Sequence, residues 1–377
     1  MSLVFKLASR NLLHDRLRLV ATVVGIVFSI VLVTIQMGLY LGFGRMVTTM
    51  IDHAGADLWV MPVGTKCFED PSLLDQRKRY RALTVDGVVE AIPLVIGFAD
   101  WYLPSGGTTP VFVVGSDFRT GALNPWNLVH GDMAALSVND AVAVDRSYFE
   151  RLGISGPGDT SEIRQQKVRV AAVTSGIRSF TTTPYVFVSL DRARALTGVP
   201  ENKATYFLIR TAAGADVESV RRRLLANISD VEVLTSAEFR ERSRNFWLFD
   251  TGAGAALFAG AVLGLIVGTV IVAQTLYSST KEYLNEFATL RAIGSSRRYV
   301  YEVIVWQAVL NAIIGFMIAA GIGVLVVRLT ADTALPVIIT PVLSVILFGL
   351  TVAMCIGSAI AAIVQVMRID PAVVFTR

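Results

Sequence analysis

The chain has 377 residues and a formal charge of only +4; 53% of its residues are hydrophobic, 17% are charged, and its mean hydropathy is +0.58. Soluble globular chains carry about 25% charged residues, so this composition excludes a chain that is solvated by water alone. The lysines and arginines lie beside apolar runs, which indicates a membrane-orientation signal and not a nucleic-acid footprint.

The N-terminal segment, residues 1–18, carries four basic side chains against one acid, with leucines and a phenylalanine between them. This pattern is typical of an amphipathic helix in the membrane interface, although a basic flank that only fixes orientation would carry the same charges. The apolar run that follows is longer than the roughly 7–15 residues of a signal-peptide core and lacks a clear small-residue cleavage site. The sequence therefore predicts an uncleaved membrane anchor.

Four charge-free apolar runs are each long enough to supply the roughly 20 helical residues that cross a bilayer. They are 19–43, 251–277, 303–327 and 341–367. Basic residues cluster at the N-terminus, in the link between the second and third runs and at the C-terminus. By the positive-inside rule both termini and that link face the cytoplasm, and the long segment between the first and second runs lies outside.

The predicted fold class is therefore an α-helical membrane protein with four transmembrane helices and an α+β extracytoplasmic domain between the first and second. Its predicted parts are a cytoplasmic or interfacial amphipathic helix (1–18), transmembrane helix 1 (19–44), an external α+β domain with stalk helices at both ends (45–250), transmembrane helix 2 (251–280), a cytoplasmic helical link (281–298), transmembrane helix 3 (299–328), a short external loop (329–340), transmembrane helix 4 (341–367) and a cytoplasmic tail (368–377).

The external segment has the β-branched and aromatic content of strands in six stretches and helical signals in two. The predicted strands are 56–62, 88–104, 109–117, 166–175, 184–190 and 204–211, and the predicted helices are 189–198 and 214–228. Ser189 and Asp216 are the predicted N-caps of these helices, and Ser236 is the predicted N-cap of a later helix without a full capping box. Three tryptophans fit a core and a binding surface equally well: Trp59, Trp101 and Trp126.

Helical patterns at both edges of the external domain continue from the membrane. Residues 45–54 extend the first apolar run, and residues 236–250 lead into the second. Two such helices would form a stalk between the membrane and the external domain. Trp247 and Phe249 fit an interfacial aromatic belt, and they fit the core of the stalk as well.

The link 281–298 has the pattern of a helix, although a hairpin between two spans needs only a few residues. Leu284, Phe287, Leu290 and Ile293 recur every three residues, which places them on one side with charged residues between them. The link therefore predicts an amphipathic helix at the membrane surface that docks a cytoplasmic partner.

The sequence holds no recognisable catalytic or cofactor motif. It has no G-x-x-x-x-G-K-[ST] phosphate loop and no G-x-S-x-G motif, and its three histidines form no metal-ligand pattern. We therefore predict no catalytic residue, no metal site and no cofactor in this chain. The apolar runs also lack the charged residues that an ion-coupled pump needs. The energy for any work must come from a partner.

Polar residues in or near the runs are interpreted as helix–helix hydrogen-bonding groups. They are Gln36, Gln274, Gln307 and Asn311. The two cysteines, Cys67 and Cys355, fall in the external segment and in an apolar run, so no disulfide is expected between them.

The link and its surroundings resemble the FtsX/MacB class of ABC transporter permeases. Residues 286–294, Glu-Phe-Ala-Thr-Leu-Arg-Ala-Ile-Gly, follow its signature E-[FIY]-[AG]-x-[LM]-[RK]-A-[IM]-G. Residues 8–19 and 368–372 resemble the usual start and end of the class, and the order of one span, a large external domain and three spans is the same. The resemblance covers the whole chain and is closest to DevC-type (heterocyst glycolipid exporter-like) permeases, through residues 264–294 and 79–101.

The resemblance implies a homodimer in the bacterial inner membrane, with its large domain in the periplasm. It implies that two copies of a separate ABC ATPase subunit, which carry the ATP and Mg, move the link helix and thereby the periplasmic domain, a mechanism called mechanotransmission. DevC-type permeases export glycolipid or other envelope cargo with a periplasmic membrane-fusion adaptor and a TolC-like outer-membrane channel. The implied partners are these proteins and membrane lipid, with no nucleic acid.

The resemblance assigns contact with the ATPase to residues of the link. They are Lys281, Glu282, Tyr283, Glu286, Phe287, Leu290 and Arg291. Phe287 is the predicted buried anchor, and its packing against the spans of the permease is the alternative. Small residues of the second span fit a dimer seam and intramolecular packing equally well. They are Gly252, Gly254, Gly260, Gly264 and Gly268.

Three functions share this architecture. The first is an ABC export permease, the second is an FtsX-like signalling subunit that activates envelope hydrolases, and the third is a lipoprotein-releasing permease. The external segment, residues 45–250, resembles the domain of the exporters more than the smaller FtsX-type domain. Export is therefore the leading prediction.

Overall fold

The computed structural model describes residues 8, 10, 12, 16–282, 297–331, 333 and 335–367. The helices and strands in chain order are α1 (Arg16–Asp52), β1 (Leu58–Met61), β2 (Leu74–Asp75), α2 (Arg77–Leu83), β3 (Val88–Tyr102), β4 (Thr108–Ser116), β5 (Leu128–His130), β6 (Ala141–Asp145), α3 (Phe149–Leu152), β7 (Thr160–Ile163), β8 (Gln166–Thr174), β9 (Tyr185–Ser189), α4 (Leu190–Thr197), β10 (Lys203–Ala204), β11 (Tyr206–Thr211), α5 (Val217–Asn227), β12 (Glu232–Thr235), α6 (Ser236–Asn245), a π-helix (Phe246–Asp250), α7 (Ala253–Glu282), α8 (Arg297–Thr330) and α9 (Pro341–Met367).

The described residues fall into two compact units. The membrane unit lies within Met1–Gly42, Gly254–Ala331 and Pro336–Arg377, and the external unit lies within Phe43–Ala253 and Asp332–Leu335. Helix α1 contributes its first part to the membrane unit and its last turns to the external unit.

Helices α1, α7, α8 and α9 build the membrane unit. Each is long and apolar enough to cross a membrane, over Leu19–Asp52, Ala253–Ser278, Tyr301–Thr330 and Pro341–Ala361, with mean hydropathies between 2.3 and 2.5. Residues of all four helices meet in an apolar core that includes Ile26 of α1, Val272 of α7, Ile304 of α8 and Cys355 of α9. Their outward faces expose large apolar side chains, as lipid-facing helices do.

The external unit is built on a ten-stranded mixed sheet of strand order β12-β1-β11-β3-β4-β9-β6-β8-β5, with β7 paired to β3 and β8. Pairs β4–β9 and β6–β8 are parallel, and the other pairs of this sheet are antiparallel. Successive side chains of a strand point to opposite faces, so Leu58 joins one apolar core and Trp59 joins the other. Four apolar spanning helices with a mixed α and β domain between the first and second confirm the predicted fold class.

The local sequence patterns in the external segment hold well. Each of the six predicted strands and both predicted helices correspond to observed elements, with ends that differ by a few residues. Asp216 caps α5 as predicted, since its carboxylate accepts a hydrogen bond from the Glu218 amide. Ser189 precedes α4 but its side chain forms no capping hydrogen bond.

The predicted N-cap of α6 is wrong by one residue. Thr235, not Ser236, caps the helix, and Glu238 completes a capping box by accepting a hydrogen bond from the Thr235 amide. The Ser236 hydroxyl instead donates a hydrogen bond to the Ala56 carbonyl and accepts one from Trp59 Nε1.

The two edges of the external domain differ in a way that the sequence patterns do not predict. Helix α1 runs without a break to Asp52. On the other side α6 ends at Asn245, a π-helix follows over Phe246–Asp250, and Gly252 adopts a left-handed φ of 77° before α7 begins. The continuous second helix expected over 236–250 is therefore interrupted just before the membrane-spanning helix.

Candidate functional site

The predicted ATPase-coupling link lies largely outside the described residues. Lys281 and Glu282 are the last two residues of α7, and α8 begins at Arg297. The other predicted coupling residues, Tyr283, Glu286, Phe287, Leu290 and Arg291, are not among the residues that the structure describes. Their assignment stays a prediction.

Three glycines of α7 lie against α1 within the same chain. A methyl group added at Gly260 would lie 2.7 Å from the Gln36 side chain, and one at Gly264 would lie 3.0 Å from Leu32. At Gly268 it would lie 2.1 Å from Ser29 Oγ. The Ser29 hydroxyl donates a 2.8 Å hydrogen bond to the carbonyl of Gly264. Close backbone approach here serves the α1–α7 contact, and a role of α7 in a dimer seam stays a prediction.

Gly252, also predicted as a packing residue, has a different position. It lies outside the helix with a left-handed backbone, and nothing lies within 4 Å of where its Cβ would be. A positive φ is not helical, so the chain leaves the π-helical segment here. Glycine suits the position because residues with a side chain rarely adopt positive φ.

Helix α1 is also close to α8 and to the segment that precedes α9. A Cβ at Gly315 of α8 would lie 2.5 Å from Ile26. The Gly38 carbonyl accepts a 3.1 Å hydrogen bond from the Ile338 amide, and a Cβ at Gly42 would lie 2.2 Å from the Pro336 carbonyl oxygen. Helix α1 therefore forms the centre of the membrane unit.

The polar side chains of the spans differ in their contacts, and two serines, Ser29 and Ser358, donate hydrogen bonds to the carbonyls of a neighbouring helix. Ser358 donates to the Thr269 carbonyl at 3.1 Å. Gln307 and Asn311 are buried, and Asn311 Oδ1 has no hydrogen-bond partner among the described residues. Gln274 is exposed on α7. The described residues contain no group of three or more His, Cys, Asp or Glu that could hold a metal ion.

In the external unit, an aromatic cluster joins the end of α1 to the π-helix. The cluster consists of Phe43, Met46, Val47, Phe180 and Trp247. The Phe180 ring lies edge-on between the other two rings, with centroid distances of 5.1 Å to Phe43 and 4.6 Å to Trp247. Phe180 therefore connects the two chain segments that enter the external unit from the membrane-spanning helices.

The loop that carries Phe180 is held by buried polar groups. Asp145 Oδ2 accepts hydrogen bonds from the Ile177 amide at 2.8 Å and from the Thr174 hydroxyl at 3.1 Å. The Tyr148 hydroxyl accepts one from the Ser179 amide at 2.8 Å. Burial raises the pKa of the Tyr148 hydroxyl, so this group stays protonated.

Glu69 is a second contact of Trp247. Its carboxylate accepts a 3.0 Å hydrogen bond from Trp247 Nε1 and a 3.3 Å hydrogen bond from the Tyr185 hydroxyl, while only 8% of the residue is exposed. Burial raises the pKa of the Glu69 carboxyl to about 7, and the hydrogen bonds from Trp247 and Tyr185 oppose that rise. The loop around Glu69 is fixed by the Tyr206 hydroxyl, which lies 3.0–3.1 Å from the carbonyl oxygens of Cys67, Phe68 and Asp70.

One ion pair joins α6 to the end of α1, and a second joins α6 to β12. Arg240 of α6 pairs with Asp52 at the end of α1, with an N–O distance of 2.9 Å. Arg242 pairs with Glu232 beside a cleft of about 400 Å³, lined also by Lys66, Phe246 and Asp250. Partly exposed pairs of this kind contribute less than about 1 kcal/mol each to stability.

Sequence patterns predicted part of this arrangement and missed the rest. Trp247 was predicted to lie either in an interfacial aromatic belt or in the core of the stalk, and its packing in the aromatic cluster fits the second role. Trp59 and Trp101 are fully buried core residues. Trp126 packs beside a core and stacks on His53 with ring centroids 3.8 Å apart. Glu69 and Phe180 carried no sequence signal, because their partners lie more than sixty residues away along the chain.

Comparison with known proteins places both parts of the chain in described families. The family profile "MacB-like periplasmic core domain" matches residues 19–227, and the profile "FtsX-like permease C-terminal" matches residues 258–371. An uncharacterised ABC transporter permease of Mycobacterium tuberculosis is 24% identical over 392 residues, which cover 98% of each chain. One of Mycobacterium bovis is 25% identical over 385 residues, with the same coverage.

Solved structures of external domains also align with this chain. The periplasmic region of MacB from Actinobacillus actinomycetemcomitans aligns with a TM-score of 0.40 and 9% identity, over 53% of this chain and 98% of that one. The extracellular domain of the noncanonic ABC-type transporter YknZ from Gram-positive bacteria aligns with a TM-score of 0.35 and 16% identity, over 48% of this chain and 99% of that one.

Proposed function

The chain belongs to the FtsX/MacB class of ABC transporter permeases, and on that premise we propose that it converts ATP hydrolysis by a separate ATPase subunit into movement of its external domain. An ABC transporter permease works with an ATPase subunit, and this sequence contains no phosphate loop of its own. Four apolar spanning helices and a MacB-like periplasmic domain fit a multi-pass protein of the inner membrane.

The continuity of α1 is the observation that carries the proposal. Its 37 residues give a helix about 55 Å long, whereas the hydrocarbon core of a bilayer is about 30 Å thick. The last turns, through Met50 and Ile51, are buried in a core of the external domain. A continuous helix with residues in the core of the membrane unit and in a core of the external domain supports transmission of force along its axis.

The proposed complex is a homodimer with two ATPase copies, both termini in the cytoplasm, and the link 281–298 seated on the ATPase. It exports envelope lipid or glycolipid through a periplasmic adaptor and a TolC-like outer-membrane channel, as the DevC-type resemblance implies. The charge-free stretches 253–278, 303–327 and 341–367 support this mechanism, because polar cargo that crossed the spans would need polar groups along its path.

Co-purification with the ATPase tests the coupling step. Glu286→Ala combined with Phe287→Ala should reduce ATPase recovery and permease-stimulated hydrolysis at least tenfold, because a few buried anchors supply most of the energy of a helix seated in a groove. The matched control is Ser295→Ala combined with Ser296→Ala in the same link, which should bind normally. Unchanged binding and hydrolysis in the Glu286/Phe287 variant would contradict the proposed docking.

Pull-down from native membranes separates the export proposal from its alternative. Recovery of an adaptor with the permease and the ATPase would support export. Recovery of an envelope hydrolase in its place would instead favour an FtsX-like signalling subunit.

A further inference from the structure

We propose that Glu69 is a proton-controlled latch, which holds the π-helix Phe246–Asp250 to the external domain when its carboxyl is protonated and releases it when the carboxyl ionises in water. The device belongs to the external unit alone. It needs no ligand, and its parts are the loop that carries Glu69, the Trp247 indole and the ring of Phe180.

The buried Glu69 carboxyl accepts a hydrogen bond from the indole of Trp247, and this contact joins the π-helix to the loop that carries Glu69. Trp247 lies in the π-helix, its Nε1 donates to Glu69, and its ring packs against Phe180. A π-helix is a rare conformation that occurs mostly as single turns and often at functional sites. Gly252, two residues after the π-helix, has a left-handed backbone, so the π-helix does not continue directly into α7.

No cationic side chain is paired with the Glu69 carboxyl among the described residues, since Lys66 of the same loop places its ammonium 5.9 Å from the Phe246 ring. Cys67 and Asp70 lie on its own loop, Tyr185 faces it from β9, Tyr206 from β11, and the nearby Tyr148 follows β6. Burial raises the pKa of Cys67 to about 12 and those of Tyr185 and Tyr206 well above their ordinary values, so these three stay neutral. No described lysine or arginine forms an ion pair with Glu69.

The direction of the switch follows from the cost of burying a charge. Protonated Glu69 is neutral, and its carboxyl still accepts the Trp247 hydrogen bond, so the closed state is favoured at low pH. In an open state the carboxyl meets water and its pKa returns toward the ordinary value of 4.5, against about 7 when closed. The open state therefore gains population as pH rises from about 4.5 through 7, and the gain levels off above that range.

The native thiol of Cys67 provides a reporter for opening. It is buried two residues from Glu69 on the same loop, and the other cysteine, Cys355, can be replaced by alanine. The experiment measures the rate at which a maleimide labels Cys67 in the full-length protein in nanodiscs between pH 5.5 and pH 7.5. Each rate is divided by that of a reference thiol, Ser105→Cys in a Cys67→Ala background, because the exposed turn at Ser105 reports only the reactivity of a free thiol.

The normalised Cys67 rate should rise on the order of tenfold over this range, since the closed carboxyl titrates near its upper end. In Glu69→Gln, which retains a hydrogen-bond acceptor but cannot titrate, the normalised rate should be flat. A rise of the same size in Glu69→Gln, or a flat profile in the native protein, would overturn the proposal.

A second variant tests the indole independently of Glu69. Trp247→Phe retains the ring that packs on Phe180 but loses the Nε1 donor, so Cys67 labelling should be several-fold faster than in the native protein at pH 5.5. Arg119→Ala, at an exposed ion pair with Asp117 after β4, is the control and should leave the normalised rate unchanged. If Trp247→Phe labels no faster than the native protein, the π-helix is not held by this contact and the latch is disproved.

Discussion

Single atoms decide how closely the helices of the membrane unit approach. Gly264 and Gly268 of α7 leave space for Leu32 and Ser29 of α1, and the Ser29 hydroxyl uses that closeness to reach a backbone carbonyl. Membrane helices gain no hydrophobic drive from meeting one another, so contacts of this kind and interhelical hydrogen bonds supply much of their association energy.

Gly268→Ala should destabilise the membrane unit by about 1–3 kcal/mol, because the added methyl would lie 2.1 Å from Ser29 Oγ and the helices would have to separate. Thermal unfolding of the detergent-solubilised protein measures the effect. Gly357→Ala in α9 is the matched control, since nothing lies within 4 Å of its Cβ position, and it should be neutral or slightly stabilising. Adding Ser29→Gly to Gly268→Ala should recover part of the loss, and equal melting of Gly268→Ala and Gly357→Ala would contradict the close contact.

The secondary-structure elements follow local rules except where distant contacts decide. Six of the twelve strands in the external domain, and helices α4 and α5, were predictable because alternation and capping residues are local signals. Even the capping box was present in the sequence, three residues from Thr235 to Glu238. The break after α6 was not predictable, because Phe246–Asp250 contains no helix breaker and Trp247 is held by Glu69, 178 residues away. The link 281–298, whose helix was predicted from its pattern and whose contact with the ATPase follows from the family resemblance, stays untested.

Thr235→Ala should lower the stability of the external domain by about 1 kcal/mol, because it removes the hydroxyl that accepts from the Glu238 amide at the start of α6. Ser189→Ala is the matched control at the start of α4, where the serine forms no capping hydrogen bond, and it should change stability by less than about 0.5 kcal/mol. Chemical denaturation followed by tryptophan fluorescence compares the two, and equal losses would show that the capping box contributes nothing.

At the scale of the whole molecule, two chain segments connect the spans to the external domain, and they have different mechanical properties. Helix α1 is continuous, with Ile26 buried among the spans and Met50 buried in the external domain. The second segment instead passes through a π-helix and a left-handed glycine. A stiff connection transmits displacement, and a jointed one permits the domain to turn about it. We therefore expect α1 to transmit force in the proposed mechanism and the π-helix to act as the hinge.

Arg45→Pro tests this division of roles, because proline removes a helical hydrogen bond and kinks α1 at an exposed position, at a cost of about 3 kcal/mol. In a homodimer reconstituted with its ATPase, hydrolysis should continue, since the kink lies far along the chain from the link. Spin labels on Ser105→Cys of the two copies, in a background without native cysteines, should then lose their ATP-dependent change in distance. Arg45→Ala keeps the helix and should retain that change. A full change in distance in Arg45→Pro would show that force reaches the external domain by another route.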